Sequence, residues 1–391
     1  MTAGVADGIT LAQLEVDPYP AYARLRREAP VCWVPAANVW FVTRWDDCVE
    51  VGRDIERFRG ARTQPTLDRV FGTPNVRTAA GEVHAELRRA IDPQLRPRAV
   101  REYIEELARP LAQECLAAMR AAGRAEVMSS YFEPVSVRAL GDVLGLREID
   151  ALTLRRWFHG LNDGISNYGR DPDRFAAADR VTAEIEKAVD PILERLRREP
   201  DESILGQMTA TPRELILPSL KVILLGGMQE PGHAAGTTLL GLLSRPDQLV
   251  RVVADAALVP DAINEGLRWI APIGAVGRET TRETRVGGVD LPAGTTAHMI
   301  LASANRDEAR FEDPDTFDLD RRRVAGGHMS FGHGEHFCSG HFFARQLERI
   351  MLEELLTLPG LALDPDVEPL VRGWAFRAPK RLGVTWSGSS A

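Results

Sequence analysis

The segment Phe331-Gly332-His333-Gly334-Glu335-His336-Phe337-Cys338-Ser339-Gly340 constrains this chain more than any other. One cysteine stands among glycines at 332, 334 and 340, directly before a run of helical character from His341 to Leu356. Glycine reaches φ > 0 without steric cost and lets backbone pass close to a flat ligand. Amides at a helix start aim their N–H groups at a nearby anion, which favours a low thiol pKa. A thiolate held in this way suits haem iron as an axial ligand. A buried structural cysteine, the usual state of a free thiol, is the plainer alternative.

The 391 residues are 44 % hydrophobic, enough to bury a large core. No linker, low-complexity tract or internal repeat divides them, so one domain over 1–391 is expected. Net charge is −8 with acids and bases interspersed, which argues against nucleic-acid binding. Met1 to Asp17 lacks an apolar stretch with a basic flank, so neither a signal peptide nor a membrane anchor is expected. Cys32, Cys48, Cys115 and Cys338 show no paired spacing, which disfavours a disulfide framework or a zinc site and points to a reducing cytoplasm.

Secondary-structure signals are mostly helical. Ala21 to Ala29, Arg98 to Ala122, Val135 to Leu146 and Ala176 to Arg198 carry apolar residues at steps of three and four, the last with a break expected at Pro191. Leu215 to Leu243 is long and mostly apolar. Lys221, Gln229, Glu230 and His233 interrupt it, which favours a core helix over a membrane span. Asp247 to Ile270 reads as one or two helices. Val39 to Thr43, Val286 to Ala302 and the last thirty residues read as strands, and Arg306 to Arg321 as an irregular loop. The expected class is mainly α with a minor β part.

Three further patterns carry chemistry. Glu265 and Arg268 are three apart and share a helix face, an arrangement that solvated ion pairs also show. His84 and Arg88 are four apart and could equally be surface groups. Within the long helix, Gly226-Gly227-Met228-Gln229-Glu230-Pro231 combines two thin positions with a proline that cannot donate to the Gly227 carbonyl. An opened helix is expected there. Glu230 could carry protons, or simply pair with His233 one turn on.

The cysteine segment resembles the haem-ligand signature of the cytochrome P450 monooxygenases: Phe331, two residues, Gly334, three residues, Cys338, one residue, Gly340. The resemblance implies a P450 fold, with haem b between the long core helix and the cysteine-loop helix and Cys338 on the iron. It implies that Glu265 and Arg268 lock to Arg321, holding the loop before the cysteine rigid. It implies that His84, Arg88, Arg278 and His328 contact the haem propionates. The chain departs from the family in the long helix, where Gln229 replaces the usual acid and Glu230 the usual threonine. Glu230 then becomes the expected catalytic proton carrier.

That departure, with Tyr131 to Arg138 and Gly373 to Arg377, resembles the bacterial aromatic O-demethylase P450s that act on guaiacol-type methoxyphenols. Carried over residue by residue, the resemblance implies a substrate pocket of Phe71, Ile165, Val222, Leu225, Gly226, Ile273 and Phe376, any of which could be plain core. Ile165 stands where the guaiacol enzymes place a phenylalanine, and Arg77 where they place an aliphatic residue. The implied reaction takes O2 and two electrons from a separate NAD(P)H-dependent partner of reductase or ferredoxin type. It converts a small aryl methyl ether to a phenol and formaldehyde. Alternatives are hydroxylation or oxidative coupling of another small aromatic, a haem-binding protein without turnover, and a Cys338/His336 thiol hydrolase. Two basic sets, Arg88, Arg89, Arg96, Arg98 and Arg101 with Arg345 and Arg349, are either a solvated face or a dock for an acidic electron donor.

Overall fold

The computed structural model describes residues 4–61, 65–167, 169–322 and 324–387. The Met1 end of the leader reading therefore lies outside the described residues, as do the extreme ends of the single-domain reading. Helices α1 (Leu11–Val16) and α2 (Tyr19–Glu28) lead into a hairpin of β1 (Val31–Val34) and β2 (Val39–Val42). Helix α3 (Trp45–Arg53), strand β3 (Phe58–Gly60), and helices α4 (Pro65–Phe71) and α5 (Gly81–Ile91) follow. Then come α6 (Pro97–Arg120), β4 (Arg124–Glu126), α7 (Glu133–Leu144), α8 (Ala151–Ile165), α9 (Pro172–Arg198) and α10 (Ile204–Gln207). Helix α9 runs straight through Pro191, so the expected break is absent.

The long helix α11 (Arg213–Leu243) is the centre of the core. It packs against α7, α8 and two later helices, α13 (Val259–Trp269) and α15 (His341–Leu355), with α12 (Pro246–Ala254) between α11 and α13. Its amphipathic signal vanishes because apolar residues surround it, as expected of a helix buried all round. It runs on as one helix through Pro218 and Pro231, although Pro231 has no N–H to give the Gly227 carbonyl. Among the described residues, no helix is long and apolar enough to cross a membrane.

The β part is small and peripheral. Strands β5 (Val276–Thr280) and β8 (Thr296–Met299) complete a five-stranded sheet in the order β1-β2-β8-β5-β3, parallel only between β2 and β8. Strands β6 (Thr284–Val286) and β7 (Val289–Leu291) form a hairpin turned by Gly287 and Gly288, both at positive φ. The strand signal stops at Met299; Leu301–Ala304 is a short helix, α14. The C-terminal strands β9 (Ala362–Leu363), β10 (Leu370–Arg372), β11 (Ala378–Arg381) and β12 (Gly383–Thr385) return to β4 and flank α11.

Candidate functional site

The cysteine loop is shaped by its glycines. Gly332 and Gly334 take φ of 75° and 77°. A Cβ on Gly334 would also strike the Gly52 carbonyl, so only glycine fits. The Cys338 N–H donates to the Phe331 carbonyl at 3.0 Å, which closes the loop just before α15. Burial raises the Cys338 thiol pKa, against the downward pull of the Gly340 and His341 amides. The helix start alone therefore does not make a thiolate, contrary to the sequence-based expectation. Coordination to a cation would hold the sulfur deprotonated.

A dense network braces this loop from behind. Arg268 Nε and Nη2 donate to the two Glu265 oxygens at 2.8 and 2.7 Å. Arg321 Nε donates to the same carboxylate at 2.9 and 3.1 Å, and the Asp318 N–H joins at 2.9 Å. Arg268 also donates to the carbonyls of Asn305, Pro314 and Thr316. The three residues expected to lock together do so, across the irregular 306–321 loop.

Between α11 and the cysteine loop lies a cavity of about 1110 Å³. Cys338, Phe331 and Gly332 line one side, and Gly226, Gly227, Glu230 and Ala234 the other. A Cβ on Gly226 would meet nothing within 4 Å, whereas one on Gly227 would collide with Leu140 of α7. One glycine widens the cavity and the other seats the helix.

The same cavity collects cations with few anions. Arg77, Arg88, Arg278 and His336 line it. Arg278 is 5 % exposed, and burial pulls it down to about 10. Arg88 donates to Asp92 and to the Phe337 carbonyl. His84 lies against His336, ring centroids 4.5 Å apart, with Glu335 Oε1 3.5 Å from its Nδ1. His84 Nε2 and both His336 nitrogens are buried without a hydrogen-bond partner. Orphaned donors beside an open floor fit a flat group carrying carboxylates. Haem fits the chemistry: Cys338 would hold the iron, and Arg88 and Arg278 the propionates; His84 is not itself among the lining residues but lies against His336, which is.

His328 is not among the lining residues. Its Nε2 lies 2.9 Å from Arg345 Nη2 and its Nδ1 receives the Ser330 N–H at 3.2 Å. Both partners can only donate, whereas a neutral imidazole accepts at one nitrogen. Burial, with Arg345 adding to it, pushes His328 down to about 3, so the ring stays neutral and one contact is unsatisfied.

Of the expected substrate-pocket residues, Phe71, Val222, Leu225, Gly226, Ile273 and Phe376 line the cavity. Ile165 does not: it is fully buried at the end of α8. Ile273 and Phe376 are fixed opposite each other by a backbone bridge. Phe71 ends α4, where Gly72 at φ 82° turns the chain against Pro218 of α11. Arg77, where the resembling enzymes place an aliphatic residue, lines the cavity and pairs with Asp68 at 3.2 Å.

Glu230 faces the cavity opposite the cysteine loop, and neither carboxyl oxygen has a hydrogen-bond partner. Gln229 points elsewhere, its Nε2 3.4 Å from His233 Nδ1. Sequence reasoning missed Glu348 of α15, a buried carboxyl that also lines the cavity and whose pKa burial raises strongly. One step along a helix turns a residue by 100°, so only packing told which face of α15 meets the cavity. The basic sets are largely neutralised: Arg89 pairs with Glu82, Arg98 with Glu102, and Arg349 with Glu353 and Glu105. No hydrogen bond joins Cys338 to His336, which removes the geometric basis for a thiol hydrolase.

A family model described as Cytochrome P450 matches residues 251–372. Cytochrome P450 monooxygenase PikC of Streptomyces venezuelae is 32 % identical across 95 % of this chain and 91 % of its own length. Nocardicin C N-oxygenase of Nocardia uniformis is 31 % identical across 95 % of this chain and 96 % of its own. The C-19 steroid 1alpha-hydroxylase of Sorangium cellulosum is 28 % identical across 86 % and 94 %. Among solved structures, CalO2 matches with a TM-score of 0.87 at 26 % identity, covering 96 % of this chain and 97 % of that one. Two of these relatives are named for hydroxylation or N-oxygenation and PikC for monooxygenation; none of the four is named an O-demethylase.

Proposed function

We propose that this chain, which belongs to the cytochrome P450 family, removes the methyl group of small methoxy-aromatic compounds of guaiacol or alkylguaiacol type. The family is one of haem b monooxygenases. The finer reading rests on one observation: a rigid clamp of Phe71, Ile273 and Phe376 shares a cavity with an unpartnered carboxyl, Glu230, facing the cysteine loop. When bound, haem supplies O2 activation and oxidation of the ether methyl. An aryl methyl ether, O2, two electrons and two protons give a phenol, formaldehyde and water.

The chain's residues divide the remaining work. Phe71 and Phe376 hold the aromatic ring by offset or edge contacts, and Val222, Leu225 and Ile273 exclude water around it. The open space at Gly226 leaves room for the reacting methyl. Cys338 would hold the iron. His84, Arg88 and Arg278 would neutralise the propionates, with His328 able to join them if Arg345 releases it. Glu230 holds a proton on the α11 side of the cavity. Electrons come from a separate NAD(P)H-dependent reductase or ferredoxin, and the cytoplasm is the proposed location.

A titration of guaiacol and 4-alkylguaiacols, followed at the Soret band and then by formaldehyde released per NADH, tests this. The expected result is a spectral shift with stoichiometric formaldehyde. A second reading follows from the steroid hydroxylase relative: hydroxylation of a bulky substrate. Binding and hydroxylation of a steroid-sized ligand, with no formaldehyde from any methoxyphenol, would replace the O-demethylase reading.

A further inference from the structure

Helix α11 separates two cavities. Gly226, Glu230 and Ala234 face the main one. Gln229, Gly232 and His233 face a second, of about 380 Å³, on a neighbouring face of the helix. Its other walls come from Glu133 of α7, Arg155 and His159 of α8, and Lys380 of β11. Glu230 Oε2 and His233 Nδ1, one helical turn apart, lie within 3.9 Å, so this pair links the linings of the two cavities. Their side chains keep 12 % and 15 % exposure. The second cavity reaches solvent: His159, whose side chain is 52 % exposed, lies 2.9 Å from Glu133 Oε1, and Lys380 is exposed.

We infer that His233 is a proton relay that recharges Glu230 from the second cavity, so that protons pass between the two cavities side chain by side chain along α11. The inference rests on reading Glu230 as the proton donor to the main cavity. The balance is simple. Glu230 gives its carboxyl proton to the main cavity and becomes a carboxylate. In its Nδ1–H tautomer, with the Gln229 amide turned so that its oxygen rather than Nε2 meets Nδ1, His233 passes that proton to the carboxylate while Nε2 takes one from the second cavity, and the ring then resets by tautomer exchange. The 3.9 Å gap closes by a modest rotation of either side chain, within the slack usual for proton-transfer partners at rest.

The electrostatics agree with the geometry. Burial, against an opposing pull from Lys380, lifts Glu230 to about 8, so it carries its proton at neutral pH. Burial, with Lys380 and His159 adding to it, keeps His233 neutral and able to accept. The charged and titratable groups facing the pair are Lys380, Glu133, Arg155 and His159, with Glu15 acting on Lys380. A freshly formed Glu230 carboxylate beside His233 would favour the imidazolium and so draw the next proton in.

The test uses the haem-loaded protein and two readouts. The first is infrared: the C=O stretch of the protonated Glu230 carboxyl, identified by its loss in Glu230→Gln, is followed after rapid mixing into D2O. His233→Phe should slow exchange of that proton at least tenfold, and His233→Asn, which keeps a polar side chain but cannot titrate, should slow it comparably. The second is the ratio of peroxide to product per NADH, which should rise in both variants. If Glu230→Gln itself leaves that ratio unchanged, the reading of Glu230 fails. If Glu230→Gln uncouples the enzyme while both His233 variants exchange and couple as the parent does, only the relay is overturned. Should His233→Phe fail to bind haem, His233→Asn alone decides.

Discussion

The two walls of the main cavity are built on opposite principles. Behind the cysteine loop, Glu265, Arg268 and Arg321 are buried and bonded to one another and to a ring of carbonyls. Across the cavity, Glu230 and Gln229 are buried with carboxyl or amide oxygens that have no partner. Both walls carry polar groups that burial penalises, but only one satisfies them. A satisfied network fixes a geometry, as a metal ligand requires. An unsatisfied carboxyl keeps a high pKa and a mobile proton, as proton delivery requires.

Breaking the rigid wall should have the larger consequences. Cys338→Ser should abolish the thiolate-type CO spectrum for which the family is named, while Cys32→Ser, Cys48→Ser and Cys115→Ser keep it; a surviving band in Cys338→Ser would remove Cys338 from the iron. Glu265→Ala leaves Arg268, 3 % exposed, as an uncompensated buried cation. The expected loss is about 3–5 kcal/mol, read by denaturant unfolding, with haem released more readily. A loss below about 1 kcal/mol would show that the Asn305, Pro314 and Thr316 carbonyls suffice.

On the unsatisfied wall the effects should be functional and smaller in stability. Glu230→Ala should raise peroxide and lower product per NADH, and Gln229→Ala, whose amide points to the second cavity, should do less. The pH dependence has a definite sign. In the folded chain Glu230 keeps its proton up to about 8, against an ordinary value of 4.5. Its contribution to stability is therefore full below the ordinary value and is lost as pH rises through the folded one, at about 1.4 kcal/mol per unit. Glu230→Gln should flatten that decline, so that the variant gains on the parent between about pH 4.5 and 8 in urea unfolding, with no further gain above it; parallel curves across that window would show that Glu230 is ionised in the fold.

Ile165 gives the smallest and sharpest comparison. It stands at an expected pocket position yet is fully buried outside the cavity lining. Ile165→Phe should cost about 1–3 kcal/mol by overpacking and leave the ratio of kcat/KM for guaiacol and 4-alkylguaiacols unchanged. A change in that ratio would put Ile165 at the substrate.

The sequence alone determined the cysteine loop, the long apolar helix, the lock residues and most helices to within a few positions. The loop, the helices and the Glu265–Arg268 pair rest on local rules, glycine at positive φ, apolar steps of three and four, paired charges on one face; Arg321 as the third lock residue came from the family resemblance. The tertiary structure decided the rest. It carried α11 and α9 through their prolines, raised the Cys338 thiol against its helix amides, and left His84 Nε2, both His336 nitrogens and the Glu230 oxygens without a hydrogen-bond partner. It also placed a second cavity behind Glu230. Burial and desolvation depend on what packs around a group from distant parts of the chain, and no local pattern records that.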